Sequence, residues 1–108
     1  MIKLAAAIFI VMWRKNIHNP AAQYYKASFL HYKGEYAQAV NAYANFINSF
    51  PDNEKVNDAT YYMAGCLDIL GENIGALNAY ADLLKKYPKS RWAPYAHYWR
   101  GKDRKSVV

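Results

Sequence analysis

The sequence predicts an all-α fold, an α-solenoid of antiparallel helix hairpins with about six helices in an open right-handed stack. Three observations carry this expectation. The chain repeats itself at a displacement of 37 residues. Within each copy apolar residues recur at three- and four-residue steps, the period of a helix with one buried face. Glycine and proline punctuate both copies at matching places, and no run alternates apolar with polar residues as a half-buried strand does.

At that displacement Ala22, Tyr24, Tyr25 and Ala27 fall on Ala59, Tyr61, Tyr62 and Ala64, and then on Ala96, Tyr98, Trp99 and Gly101. Gly34 falls on Gly71, Ala39 and Tyr43 fall on Ala76 and Tyr80, and Phe50-Pro51 falls on Tyr87-Pro88. Ala22–Tyr32 carries the apolar steps of the first helix. Asn19 can accept from its unpaired N–H groups, and Pro20 suits a first position that needs no donor. Gly34 ends it, because glycine accepts the left-handed conformation found at helix ends. Glu35–Ser49 is the second helix, with Ala39, Tyr43, Phe46, Ile47 and Phe50 on one stripe, and Pro51 stops it. Asp58–Leu70 and Asn73–Lys86 repeat the pair. A last helix starts after Ser90, holds Pro94 in its first turn and runs to about Arg104.

The chain therefore divides into an N-terminal segment 1–18, repeat units 19–53 and 54–90, and a C-terminal half-repeat with a basic tail, 91–108. Antiparallel helices come close only where side chains are small. Ala27 against Ala39, and Ala64 against Ala76, are the expected points of closest approach, with Tyr43 and Tyr80 filling the space beside them.

Composition narrows the function. Apolar residues make up 54% of the chain, enough for a packed core rather than disorder. Eleven Tyr and three Trp suit helix interfaces and also serve as partner anchors. The single cysteine, Cys66, excludes an intrachain disulfide, and its apolar surroundings predict a buried, inert thiol. His18, His31 and His97 lack metal-ligand spacing with Cys66 or the carboxylates, so no metal or cofactor is expected. No nucleophile elbow or phosphate-cradling glycine loop appears, and catalysis is not expected. His31 and Asp68 could meet across neighbouring helices, and a lone pair of that kind is ordinarily structural.

The net charge is +6, and it is uneven. Between Lys85 and Lys105 eight basic residues face one acid, Asp103, and are interleaved with Trp92, Tyr95, Tyr98 and Trp99. Such a segment could serve an anionic surface or stack nucleic-acid bases. The same aromatics recur at repeat positions, where packing accounts for them. Nucleic acid is the alternative, not the expected partner.

The run Ala27…Gly34-Glu35-Tyr36…Ala39…Tyr43…Pro51, followed by Ala64…Gly71…Ala76…Tyr80…Pro88, resembles the tetratricopeptide family. Asn73 stands where Tyr36 stands in the first unit, and the 37-residue step exceeds the usual 34 of that family. The segments Ala59–Gly65 and Tyr87–Gly101 are similar to a variant found in bacterial cell-envelope proteins, such as the periplasmic coordinator of the Tol–Pal system and the lipoproteins of outer-membrane protein assembly. The resemblance implies a non-catalytic scaffold that holds a protein or peptide, with a periplasmic setting and a cytoplasmic alternative. Counting back 34 from Ala39 and Tyr43 reaches Ala5 and Phe9, so Leu4–Lys15 reads as the second helix of an incomplete earlier repeat. The competing reading is an uncleaved signal-like segment, too short for a bilayer span of about twenty residues. Open ends of such a stack expose apolar faces, and a homodimer could cover them.

The family binds along the concave side, lined by the first helix of each pair. The resemblance puts Tyr24, Ser28, His31 and Tyr32 there in the first unit, Asp58, Tyr61 and Asp68 in the second, and Tyr95, Tyr98 and Lys102 in the last helix. Tyr24, Tyr61 and Tyr98 would form a ladder of hydroxyls. The family's clamp for chaperone C-terminal carboxylates uses Lys and Asn in the first helix. Tyr24 and Ser28, then Tyr61 and Gly65, occupy those positions, which argues against that mode.

Overall fold

The computed structural model describes residues 19–106, and five α-helices and no strand are found among them. α1 spans Pro20–Tyr32, α2 Tyr36–Ser49, α3 Val56–Ile69, α4 Asn73–Lys86 and α5 Ala93–Ser106. The helix expected at Leu4–Lys15, and the signal-like alternative, lie outside the described residues.

Local chemistry sets each boundary. The Asn19 side chain accepts from the N–H groups of Ala21 at 2.9 Å and Ala22 at 3.3 Å, which starts α1 at Pro20, the expected first position. Gly34 and Gly71 take φ of +83° and +80°. After α1 the Gly34 N–H donates to the His31 carbonyl and the Glu35 N–H to the Leu30 carbonyl, and the same two bonds recur from Gly71 to Asp68 and from Glu72 to Leu67. Each glycine thus closes the last turn and reverses the chain. At the far end of each unit Phe50 and Tyr87, each preceding a proline, leave the helix at the same φ of −133° and ψ of 61°.

The connecting turns also match. The Asn53 side chain accepts from the Lys55 N–H at 2.9 Å, and the Ser90 hydroxyl accepts from the Trp92 N–H at 3.0 Å. The Val56 N–H donates to the Asn53 carbonyl, so α3 begins at Val56 rather than at Asp58.

Each helix packs extensively only on its neighbours in sequence, α1 on α2, α2 on α3, α3 on α4 and α4 on α5. This is the contact pattern of a solenoid. The small residues expected between the paired helices are fully buried, Ala27, Ala39, Ala64 and Ala76, and Tyr43 and Tyr80 are buried with them. Two core clusters result. One joins α1 and α2 to α3 through Tyr24, Tyr43, Phe46 and Cys66, and the other joins α3 and α4 to α5 through Ala64, Tyr80, Leu83 and Ala96. Met63 of α3 packs against both. Burial pushes the Cys66 thiol up to about 11, so it stays protonated at neutral pH. No helix among the described residues is long and apolar enough to cross a membrane.

Ala39→Leu and Ala76→Leu should each cost about 1–3 kcal/mol by forcing the paired helices apart. The same change at exposed Ala37 should stay within about 0.5 kcal/mol. Urea denaturation of the three variants checks this.

Candidate functional site

Two joined clefts run along α1, α3 and α5, the first helix of each successive pair. The smaller, about 450 Å³, is lined by Tyr24, Tyr25, Ser28, His31 and Tyr32 of α1, by Tyr43, by Tyr62 of α3 and by Lys55. The larger, about 510 Å³, is lined by His31, by Tyr61, Tyr62, Gly65, Asp68 and Ile69 of α3, by Asn73 and Tyr80 of α4, and by Trp99, Lys102 and Asp103 of α5. His31 and Tyr62 belong to both, so the two form one groove.

Small residues open the larger cleft. Gly65 stands at the repeat position of Ser28, and a Cβ placed on it would meet nothing within 4 Å. Asn73 stands at the position of Tyr36, whose ring in the first unit packs edge-on to His31 at 6.0 Å. The departure from the family pattern at Asn73 thus places a shorter, polar side chain in the lining of the larger cleft.

The groove gathers Tyr24, Ser28, His31, Tyr32, Tyr61, Asp68 and Lys102 from the expected set. Tyr24 contributes little accessible surface, at 7% exposed, and packs its ring on Phe46 at 5.6 Å and Tyr43 at 6.3 Å. Tyr61 is half-buried and stacks on Trp92 at 4.3 Å with the planes 10° apart. Tyr95 and Tyr98 are exposed and line neither cleft. The ladder Tyr24, Tyr61, Tyr98 is therefore not one surface. Two repeat positions line the groove in all three helices: the next one along, Tyr25, Tyr62 and Trp99, and that of Ser28, Gly65 and Lys102.

Asp58 also lies outside the groove. It is 9% exposed, and its Oδ1 accepts from Arg91 Nη2 at 3.0 Å and from the Trp92 indole N–H. One residue earlier, Asn57 Oδ1 accepts from the Ser90 hydroxyl at 2.9 Å. These bonds tie the start of α3 to the turn that launches α5. Arg91 and Trp92, two members of the basic aromatic segment 85–105, are thereby engaged internally. Arg91 also covers the Trp92 ring at 4.8 Å.

The polar groups of the groove differ between units. In the first, His31 Nδ1 and the Tyr43 hydroxyl are 3.3 Å apart, and burial lowers the imidazole pKa so that it is neutral at pH 7. In the second, the Tyr80 hydroxyl donates to Asp68 Oδ2 at 3.4 Å. Asp103, from α5, lies within hydrogen-bond reach of Asp68. Burial, then the Asp103 carboxyl, push the Asp68 acid up to about 7, against the opposing pull of Tyr80 and Lys102. Asp103 is 3% exposed and its Oδ2 finds no donor among ordinary partners. A protonated Asp68 carboxyl can supply one.

Asp103, Tyr62 and Trp99 were not among the expected site residues. The repeat register held the signal for Asp103: one step of 37 back lies Cys66, a fully buried position, and a carboxylate in a core slot asks for an explanation. Among the described residues no group of three or more His, Cys, Asp or Glu is arranged to hold a metal ion. What the groove offers is aromatic faces, hydroxyls, a neutral imidazole, an acid pair and two ammonium groups, Lys55 in the smaller cleft and Lys102 in the larger.

A family model described as tetratricopeptide repeat matches residues 21–53 and again 58–90. No curated protein and no solved structure matches the chain.

Asp58→Ala should destabilise the fold by about 1–3 kcal/mol, since it leaves the Trp92 N–H without its acceptor and frees the turn before α5. Loss of the urea midpoint together with a weaker near-ultraviolet tryptophan signal is the expected result. A second prediction concerns pH. The Asp68 acid is raised in the folded state, so the stability it contributes is present below the ordinary carboxylate range and is lost as pH rises through about 7. Asp68→Asn should therefore lose less stability than wild type between about pH 5 and about pH 8 in urea denaturation.

Proposed function

Because the chain belongs to the tetratricopeptide repeat family, we propose that it acts by binding, as a scaffold or adaptor that holds a protein or peptide partner in the groove along α1, α3 and α5. One observation carries the reading: two clefts of about 450 and 510 Å³ meet at His31 and Tyr62 and run across successive repeats. A pocket for a small metabolite would be closed and local, whereas a groove that continues from unit to unit suits an extended chain. Aromatic rings with polar tips line it, and such groups anchor peptides at low entropic cost. Catalysis is no part of this reading.

A bacterial envelope setting rests on the sequence resemblance alone, and a full-length chain without an export signal would remove it. Pairing of two copies through the ends of the stack rests on the general exposure of apolar faces where such a stack stops. Light scattering that shows a monomer at all concentrations would exclude it.

Gly65→Leu tests the groove directly. The helical backbone tolerates the change, since glycine in a helix interior costs about 0.5–1 kcal/mol relative to alanine and the space around it is open. The leucine should fill the larger cleft while thermal stability is kept or raised. Partner capture from an extract should fall with Gly65→Leu and persist with Ala37→Leu, whose side chain lies on α2. Equal capture by both would mean that the partner binds elsewhere.

A further inference from the structure

The larger cleft carries an unbalanced charge. Asp68 and Asp103 both line it, and Lys102 is the cation beside them. The Lys102 ammonium lies 5.0 Å from the centroid of the Trp99 ring, over its face. The remaining titratable groups facing Asp68 supply no positive charge: His31 from α1 is neutral, and Tyr80 from α4 and Tyr61 from α3 carry phenols that burial keeps protonated. Two carboxyls and one ammonium leave a deficit of one positive charge, which a proton on Asp68 makes up. The clearest mark of that deficit is Asp103, a nine-tenths buried side chain with an unpartnered Oδ2, lining the cleft.

We propose that this cleft seats one cationic side chain of the bound partner, a Lys ammonium or an Arg guanidinium, with the Asp68 and Asp103 carboxyls as its counter-charge and the Tyr61, Tyr62 and Trp99 rings as its walls. The inference rests on the groove reading and names the chemistry of its occupant. A cation between aromatic faces and a carboxylate gains from both the ring quadrupoles and the charge. The Lys102 ammonium over Trp99 shows that the wall accepts such a group. A metal ion is a poorer fit, because the cleft offers two carboxyls where hard divalent ions take six or more oxygens. The net charge of +6 repels a polycation, so the partner segment carries an isolated basic residue in a neutral or acidic stretch. Entry of the cation displaces the proton held on Asp68, so the affinity rises with pH: with Asp68 titrating at about 7, binding tightens about tenfold between pH 6 and pH 8.

A random peptide library displayed on phage and panned against the wild-type chain tests this. Enriched peptides that share one Lys or Arg are the expected result. Replacing that residue by norleucine in a synthetic peptide should weaken binding about tenfold or more, as should Asp68→Asn or Asp103→Asn in the protein, each verified as helical by circular dichroism. The norleucine peptide needs no altered protein, so it decides the matter even where an Asn variant fails to fold. Enriched peptides without a cation, binding indifferent to norleucine, or affinity that falls as pH rises from 6 to 8 would overturn the cation seat and leave the groove standing. Failure to enrich any peptide, or peptides whose binding survives Gly65→Leu, would overturn the groove reading and the seat with it.

Discussion

Everything past the first helix depends on how closely each helix lies against the one before it. Ala27 and Ala39, then Ala64 and Ala76, set that distance, and all four are fully buried. With a single cysteine, Cys66, the fold cannot lean on an intrachain disulfide. Packing between successive helices therefore supplies the cohesion, and a methyl side chain at each contact is what allows the neighbouring tyrosines, Tyr43 and Tyr80, to close the gap instead of prying it open.

The same frame supports two different polar sites because the repeat is conservative only toward the core. Positions that bury stay alike: Tyr43 and Tyr80 each turn a hydroxyl toward the groove. The groups they meet differ, His31 in one unit and Asp68 in the other. Ser28 gives way to Gly65, and Tyr36 to Asn73, so the second unit loses bulk where the first keeps it. A ring-walled cleft with one lysine, Lys55, and a larger one with an acid pair thus lie side by side at His31 and Tyr62. Specificity in such a protein is written in the few residues that differ between units, while the core merely repeats.

Much of the fold could be read from the chain because its punctuation is local. Gly34, Gly71, Pro51 and Pro88 act on their own backbone, so their effect needs no knowledge of the partner helix. The start of α3 was missed by two residues because Asn53 closes a side-chain turn that periodicity cannot see. The site was less legible. Neighbouring residues on a helix point about 100° apart, so an assignment that is off by one residue trades Trp99 for Tyr98 and moves from the groove to open surface. Asp58 misled for a different reason: its partners, Arg91 and Trp92, lie in the next repeat, and only the folded stack brings them to it. Asp103 was legible in principle, as a charge in the register of Cys66, but the pattern of the first helices drew the reading to Lys102 beside it.

The confinement of extensive contact to consecutive helices has a mechanical side. α1, α3 and α5 line the groove together, yet they are held in place chiefly by α2 and α4 behind them. A chain laid along the front would touch all three and act as a splint, bracing from the groove side separations that the bare protein sets by packing from behind. Occupancy would then be felt as stiffness along the whole stack, so that a partner at one unit sets the spacing that a partner at the next unit meets.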